Sequence, residues 1–254
     1  MVSEFKGKTA FLTGAAGGIG FAVVKALLQE GANVVATDVS VDGLTELACD
    51  NLYARPLDVT KSADVDRLMD DMAAQCDGID YGINVAGVLS TTPVLETSDV
   101  EWARVFAVNT AGVFHVSRAL ARHMVPRRRG SIVTVSSNAV GVPRRNMAAY
   151  AASKAASTMF TRCLGLELAE HGIRCNIVAP GSTLTSMQTG MWTDDNGGER
   201  VIAGSLENYK TGIPLRKLAT PDDIANSVLF LLSEKAGHIT MADIYVDGGA
   251  TLHA

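Results

Sequence analysis

Long apolar runs, paired cysteines and an excess of basic charge are all missing from this 254-residue chain. No apolar run approaches the ~18 residues of a membrane-spanning helix, so no membrane partner is expected. The opening Met1-Val2-Ser3-Glu4-Phe5-Lys6 leads into a strand-like segment without the apolar region of a secretory signal. Cys49, Cys76, Cys163 and Cys175 lie far apart with no CxxC pairing. They read as buried thiols in a reducing cytoplasm and not as a disulfide scaffold. Lysine and arginine number 22 against 27 acids, a net charge of −5, which implies no surface for nucleic acid. The five histidines show neither HExxH nor clustered spacing, so no metal site is expected. Charged residues make up only 19%, below the roughly 25% of an average soluble domain. Such a shortfall fits surface hidden in contacts between subunits.

Hydrophobic residues make up 47%, ample material for one large core, and residues 1–254 read as a single domain. Short apolar runs alternate with longer amphipathic ones throughout. Strands are expected at Lys8-Thr9-Ala10-Phe11-Leu12-Thr13, Asn33 to Thr37, Leu52 to Arg55, Tyr81 to Asn84, Ser131 to Ser136, Arg174 to Val178 and Asp243 to Val246. Several lack period-two alternation, as parallel strands covered on both faces should. Helices fit Ile19 to Gln29, residues 61–75, 99–124 and 148–170, and a segment begun by Pro221-Asp222-Asp223. The alternation predicts an α/β fold: a doubly wound, Rossmann-type parallel sheet with helices on both faces. Residues 186–212 are polar and contain Asp194-Asp195-Asn196-Gly197-Gly198, which suits a substrate lid or a mobile surface loop. Arg127-Arg128-Arg129 follows Pro126 and reads as a solvated helix end.

Thr13-Gly14-Ala15-Ala16-Gly17-Gly18-Ile19-Gly20 lies between the first strand and the first helix. Glycines there permit a tight turn and close approach of a pyrophosphate, and the helix start supplies free N–H groups. The spacing is TGxxxGxG, which differs from GxGxxG. Asp38 closes the second strand and can accept hydrogen bonds from both hydroxyls of an adenosine ribose. A 2′-phosphate about 4 Å away would cost roughly 4 kcal/mol in repulsion at an effective dielectric near 20. Ala15, Ala16 and Val39 offer no compensating cation, so NAD is expected over NADP. The bland alternative is an ordinary turn acid.

Tyr150 and Lys154 are four apart on an expected helix and share a face. An ammonium beside a phenol favours the phenolate, with an upper bound near three pKa units at about 4 Å. Ser137, at the carboxyl end of Ile132-Val133-Thr134-Val135-Ser136, can hold the substrate oxygen at the edge where open α/β sheets bind ligands. Arg144 lies between Ser137 and Tyr150, and its guanidinium could bind a carboxylate through two parallel hydrogen bonds. Arg144 and Arg145 could equally be surface charges.

Thr13 to Gly20, Asn84-Val85-Ala86-Gly87, Asn109, Ser137, Tyr150-x-x-x-Lys154 and Pro180-Gly181 together resemble the short-chain dehydrogenase/reductase family over nearly the whole chain. The resemblance implies that Tyr150 is the general base. It implies that Lys154 lowers the phenol pKa and binds the nicotinamide ribose, and that Ser137 orients the reacting oxygen. Asn109 would hold a helix kink and a relay water. Gly14, Gly18, Ile19, Gly20, Asn84, Ala86 and Gly87 would line the cofactor. So would Asp58 and Val59 at the adenine, and Pro180, Gly181, Thr183 and Thr185 at the nicotinamide. Val85 departs from the usual asparagine or alanine. Segments around Ser137, Arg144-Arg145-Asn146-Met147, Met187-Gln188, Trp192 and Asp247-Gly248-Gly249 further resemble a branch that oxidises a cyclohexadiene diol carboxylate. That implies substrate contacts from Ser137, Arg144, Met147, Tyr150 and Gln188, and a homotetramer in the cytoplasm acting on a small molecule. Reduction of another ketone, such as a 3-oxoacyl carrier-protein thioester, and a silent NAD-sensing regulator remain the alternatives.

Overall fold

The computed structural model describes residues 3–252, so Met1 and Val2 of the opening segment lie outside the described residues. The chain runs β1 (Thr9–Thr13), α1 (Gly18–Gln29), β2 (Asn33–Asp38), β3 (Leu52–Pro56), α2 (Ser62–Gln75) and β4 (Tyr81–Asn84). It continues through α3 (Asp99–Phe106), α4 (Val113–Arg127), β5 (Gly130–Val135), α5 (Ala148–Leu168) and β6 (Ile173–Pro180). Two short helices, α6 (Ser186–Thr189) and α7 (Gly197–Ala203), precede α8 (Pro221–Leu232) and β7 (Asp243–Val246). All seven strands pair in parallel in the order β3-β2-β1-β4-β5-β6-β7. The direction of winding reverses between β1 and β4, which opens a crevice at their carboxyl ends.

Burial on both faces explains the unbroken apolar runs. In β1 all five residues are buried. Leu12 points into a layer with Val23 and Leu27 of α1 and Ile224 and Val228 of α8. Phe11, one residue earlier, points into the opposite layer with Met69 of α2, Leu120 of α4 and Leu164 of α5. The start of α8 is set by a capping box in which the Thr220 hydroxyl accepts from Asp223 N at 3.2 Å and the Asp223 carboxylate accepts from Thr220 N at 2.8 Å.

Three expectations are corrected. The helix over 99–124 is interrupted by a π turn at Ala107–Gly112, because the Asn109 carboxamide is pinned from outside the helix. Only Cys175 is buried; Cys49 and Cys163 are exposed and Cys76 is half-buried. The arginine triplet is solvated only in part: Arg128 and Arg129 are exposed as expected, but Arg127 is half-buried. Arg127 donates to Ile79 O at 2.7 Å and to Asp80 Oδ1 at 3.0 Å, Arg129 lies 3.4 Å from the same carboxylate, and Arg128 donates to Glu170 O at 2.6 Å. Asp80 Oδ2 also accepts from Thr9 N at 3.0 Å, so this carboxylate ties the starts of β1 and β4 together. Asp80→Ala should therefore cost about 2–3 kcal/mol of unfolding free energy, the range for hydrogen bonds to charged groups, as measured by urea titration.

Candidate active site

The glycine turn after β1 is shaped by close approach. Gly14 has φ +71, and a Cβ there would lie 2.5 Å from Ala86 N, so the turn packs directly on the loop after β4. At Gly18 a Cβ would meet Thr185 Cγ2 at 2.8 Å, which brings the start of α1 against the segment after β6. These side-chain-free walls leave room and free N–H groups for a pyrophosphate beside Ile19 and Gly20. The residues fit a dinucleotide.

Asp38 is held in place by the turn itself. Its Oδ2 accepts from Ala16 N at 3.0 Å and its Oδ1 from Val39 N at 2.7 Å. A groove of about 600 Å³ adjoins it, lined by Val39, Arg55, Leu57, Asp58 and Arg67 among others. The two arginines are cations that the sequence neighbours of Asp38 do not reveal. Arg55 donates to Ala54 O at 3.0 Å, and Arg67 pairs with Asp64 at 2.6 Å. Asp58 Oδ1 accepts from Thr60 N and Oγ1 at 2.9 and 2.7 Å, and these bonds hold its carboxyl below the usual range. Val59 is buried, with its carbonyl 2.9 Å from His115 Nδ1.

At the end of β4 the Asn84 amide turns into the core. It donates to Ser117 Oγ at 2.9 Å and Thr134 Oγ1 at 3.3 Å and is only 2% exposed, so its side chain offers nothing to the crevice. Ala86 N reaches Thr13 Oγ1 at 3.4 Å. A Cβ on Gly87 would lie 3.3 Å from Lys154 Nζ and 3.4 Å from Asn109 Oδ1, so these three residues meet at one point. Asn109 Oδ1 accepts from Val88 N at 2.8 Å, while its Nδ2 donates to Val88 O at 2.9 Å and Ser153 Oγ at 3.0 Å.

Ser137 follows β5 in extended backbone, and its hydroxyl accepts from Ala139 N at 3.2 Å. Tyr150 sits in the first turn of α5, buried, with its phenol facing the Ser137 hydroxyl. Burial pushes the phenol pKa up, and only the Ser137 hydrogen bond opposes this. The Lys154 Nζ donates to Val135 O at 2.9 Å, and burial without a carboxylate partner brings its pKa down to about 8. A buried ammonium held by a carbonyl keeps its desolvation cost.

Gly181, after β6, donates its N–H to Val246 O at 3.0 Å. Thr183 Oγ1 donates to Gly181 O at 3.3 Å, and Thr185 accepts from Gln188 N to cap α6. Gln188 and Met147 are half-buried, and Met147 N donates to Arg144 O at 3.3 Å. Arg144 is half-buried, and among the described residues its guanidinium has no hydrogen-bonded partner. Burial lowers its pKa and the charge of Asp247 counteracts that. Arg145 is exposed and donates to Glu207 O at 3.3 Å. Asp247 entered the sequence reading only as part of a resembling segment, with no site role. Its place depends on Asn138 Nδ2 at 3.2 Å and Thr251 N at 2.9 Å.

A family model described as enoyl-(acyl carrier protein) reductase matches residues 14–251. The chain belongs to the short-chain dehydrogenase/reductase family, and it is an oxidoreductase that works with a nicotinamide cofactor. It is 54% identical over 253 residues to 2,3-dihydro-2,3-dihydroxybenzoate dehydrogenase of Bacillus subtilis, covering 97% of each chain. The enzyme of that name from Escherichia coli is 41% identical over 254 residues, covering 99% of this chain and 100% of that one. The solved structure of gox2181 superimposes with a TM-score of 0.89 at 30% identity, covering 97% and 96% of the two chains.

The buried lysine gives a pH test. Its folded pKa of about 8 lies below the ordinary 10.5, so folding opposes the charge. The penalty is full below pH 8 and fades as pH rises toward the unfolded value. Relative to Lys154→Met, the parent should thus gain up to about 3 kcal/mol of stability between pH 8 and 10.5, at 1.36 kcal/mol per unit. Denaturant unfolding of both proteins across that range checks it, and a constant difference would contradict burial of the charged amine.

Proposed function

We propose that the protein oxidises 2,3-dihydro-2,3-dihydroxybenzoate to 2,3-dihydroxybenzoate with NAD⁺, a reaction of catechol siderophore biosynthesis. The observation that carries this is the half-buried Arg144 guanidinium, without a hydrogen-bonded partner among the described residues, on the loop joining Ser137 to Tyr150. The names of the Bacillus and Escherichia relatives agree with it. A 3-oxoacyl-acyl-carrier-protein reductase of Escherichia coli is 33% identical, a weaker likeness that favours the diol over the thioester. Dehydrogenase relatives and an intact Ser137–Tyr150–Lys154 set argue against a silent regulator.

Ser137 donates to the C3 oxygen of the diol and holds it beside the Tyr150 phenol. Tyr150, drawn to its phenolate by the Lys154 ammonium one turn along α5, takes the hydroxyl proton while the C3–H bond breaks. An oxidised nicotinamide cofactor, held by the glycine turn after β1, Asp38 and Lys154, would supply the hydride acceptor. The resulting ketone tautomerises to the aromatic catechol, which makes the oxidation irreversible. Arg144 pairs with the carboxylate, Met147 and Gln188 wall the ring, and Lys154 presents its ammonium to the ribose side. Asn109 holds the π turn that places Ser153 under Tyr150. Asp38 receives the adenosine ribose hydroxyls. NAD is preferred because the Asp38 carboxylate would repel a 2′-phosphate and the Arg67 charge is already paired with Asp64. Exposed Val100, Trp102, Phe114, Met159 and Leu166 on α3 to α5 supply apolar surface for a homotetramer. No helix among the described residues is long and apolar enough to cross a membrane, and a cytoplasmic enzyme is proposed.

NADH formation from a panel of cyclic diol acids tests the substrate, and kcat/KM with NAD⁺ should exceed that with NADP⁺ at least about tenfold, the weight of one 1.4 kcal/mol contact. Equal values would remove the role given to Asp38. Tyr150→Phe should abolish turnover while NADH still binds, read by nicotinamide fluorescence; activity within tenfold of the parent would assign the proton to another group.

A further inference from the structure

The tail that leaves β7 turns back on its own first residue. Gly248 and Gly249 take φ of +64 and +84, and this curl aims two later N–H groups at the Asp247 carboxylate. Oδ1 accepts from Gly249 N at 3.0 Å and Oδ2 from Thr251 N at 2.9 Å. A third donor comes from outside the tail: Asn138 Nδ2 reaches Oδ2 at 3.2 Å, from 109 positions away in the chain. Asp247 and Asn138 are each 7% exposed, so these bonds form out of water, where an unmet donor or acceptor is costly.

This link adjoins the reacting groups. Asn138 directly follows Ser137 and opens the tight turn Asn138–Val140. Within that turn Ala139 N donates to Ser137 Oγ at 3.2 Å. The bond takes up a lone pair of the hydroxyl, so the turn limits where the Ser137 proton can point. The tail packs on the same turn: a Cβ on Gly141 would lie 3.5 Å from Thr251 Cγ2. It packs equally on the segment after β6, where a Cβ on Gly181 would lie 2.5 Å from Asp247 Cβ and 3.5 Å from Asn138 Nδ2. Tail, serine turn and the exit of β6 therefore form one close-packed block with the Asp247 carboxylate inside it.

We propose that Asp247 is a positioning residue for Ser137, acting through Asn138. Its two oxygens accept three N–H groups, whereas an amide in its place would offer one acceptor oxygen. Two of the three bonds close the tail, and the third passes the position of the tail to the serine turn. The inference rests on the place given to Ser137 under Proposed function, and it holds whichever alcohol is oxidised.

Asn138→Ala tests this, because it removes the link and leaves both bonds within the tail. It should lower kcat on the diol acid about tenfold or more, since small misplacement of a group at the reacting atom is costly, with KM for NAD⁺ within about twofold of the parent. Asp247→Ala should lower kcat at least as far, and the double variant should lose no more than Asp247→Ala alone. Should Asp247→Ala not fold, Asp247→Asn, whose amide oxygen can still accept within the tail, replaces it in the cycle. Losses that multiply would overturn the proposal. So would an Asn138→Ala protein with lowered Tm but the kcat of the parent well below that Tm, which is the behaviour of a bond that serves stability alone. A parent inactive on the diol acid would overturn the proposed function instead. The same variants are then compared on an acetoacetyl thioester with NADH, where the same loss of kcat supports the role of Asp247 and its absence overturns it.

Discussion

The Asn109 carboxamide joins three elements that no backbone pairing connects. It satisfies both the N–H and the carbonyl of Val88 on the loop after β4, and it donates to Ser153 in α5. Ser153 Oγ in turn donates to Tyr150 O at 2.7 Å, and the Thr110 hydroxyl donates to Ser153 O at 3.0 Å. Meeting these partners requires the extra residue of a π turn between α3 and α4, a local cost that the buried hydrogen bonds offset. The position of Tyr150 over Ser137, and of Lys154 beside Gly87, depends on this junction. A site set by buried side-chain bonds is less free to drift than one set by loops alone.

The electrostatics of the site follow from its depth. Neither Tyr150 nor Lys154 meets a carboxylate, so burial acts against the charged form of each, raising one pKa and lowering the other. The two pKa values are thereby driven apart: the Lys154 amine comes nearer to neutral pH and the Tyr150 phenol moves away from it. Outside this buried pair, the Arg144 guanidinium is only half-buried, on the loop that leads to α5.

Much of this was legible in the chain because local rules govern it. The apolar runs of the strands, the glycines at 14, 18 and 20, the acid at 38 and the Tyr150–Lys154 spacing each express a constraint felt within a few residues. The α8 start at Pro221 was legible for the same reason, through its proline and acids. What was misread depends on partners distant in sequence. Arg127 looked solvated because Asp80 is 47 residues from it. The helix over 99–124 looked continuous because Val88 and Ser153 act on it from outside. Cys49 and Cys163 looked buried because composition cannot say which face of an element a residue occupies.

The sequence by itself determined the class of fold and the family, and it named the candidate groups of the site, since backbone conformation and hydrophobic periodicity are written into neighbouring residues. Only the tertiary structure decided how those groups are charged and which others join them. Lys154 reaches the carbonyl of Val135 on a neighbouring strand. Asn84 turns inward to Ser117, Arg55 and Arg67 line the groove beside Asp38, and Arg145 reaches Glu207 O across 62 positions. Each of these depends on desolvation and on long-range contact, and both exist only once the sheet has wound and its helices have packed.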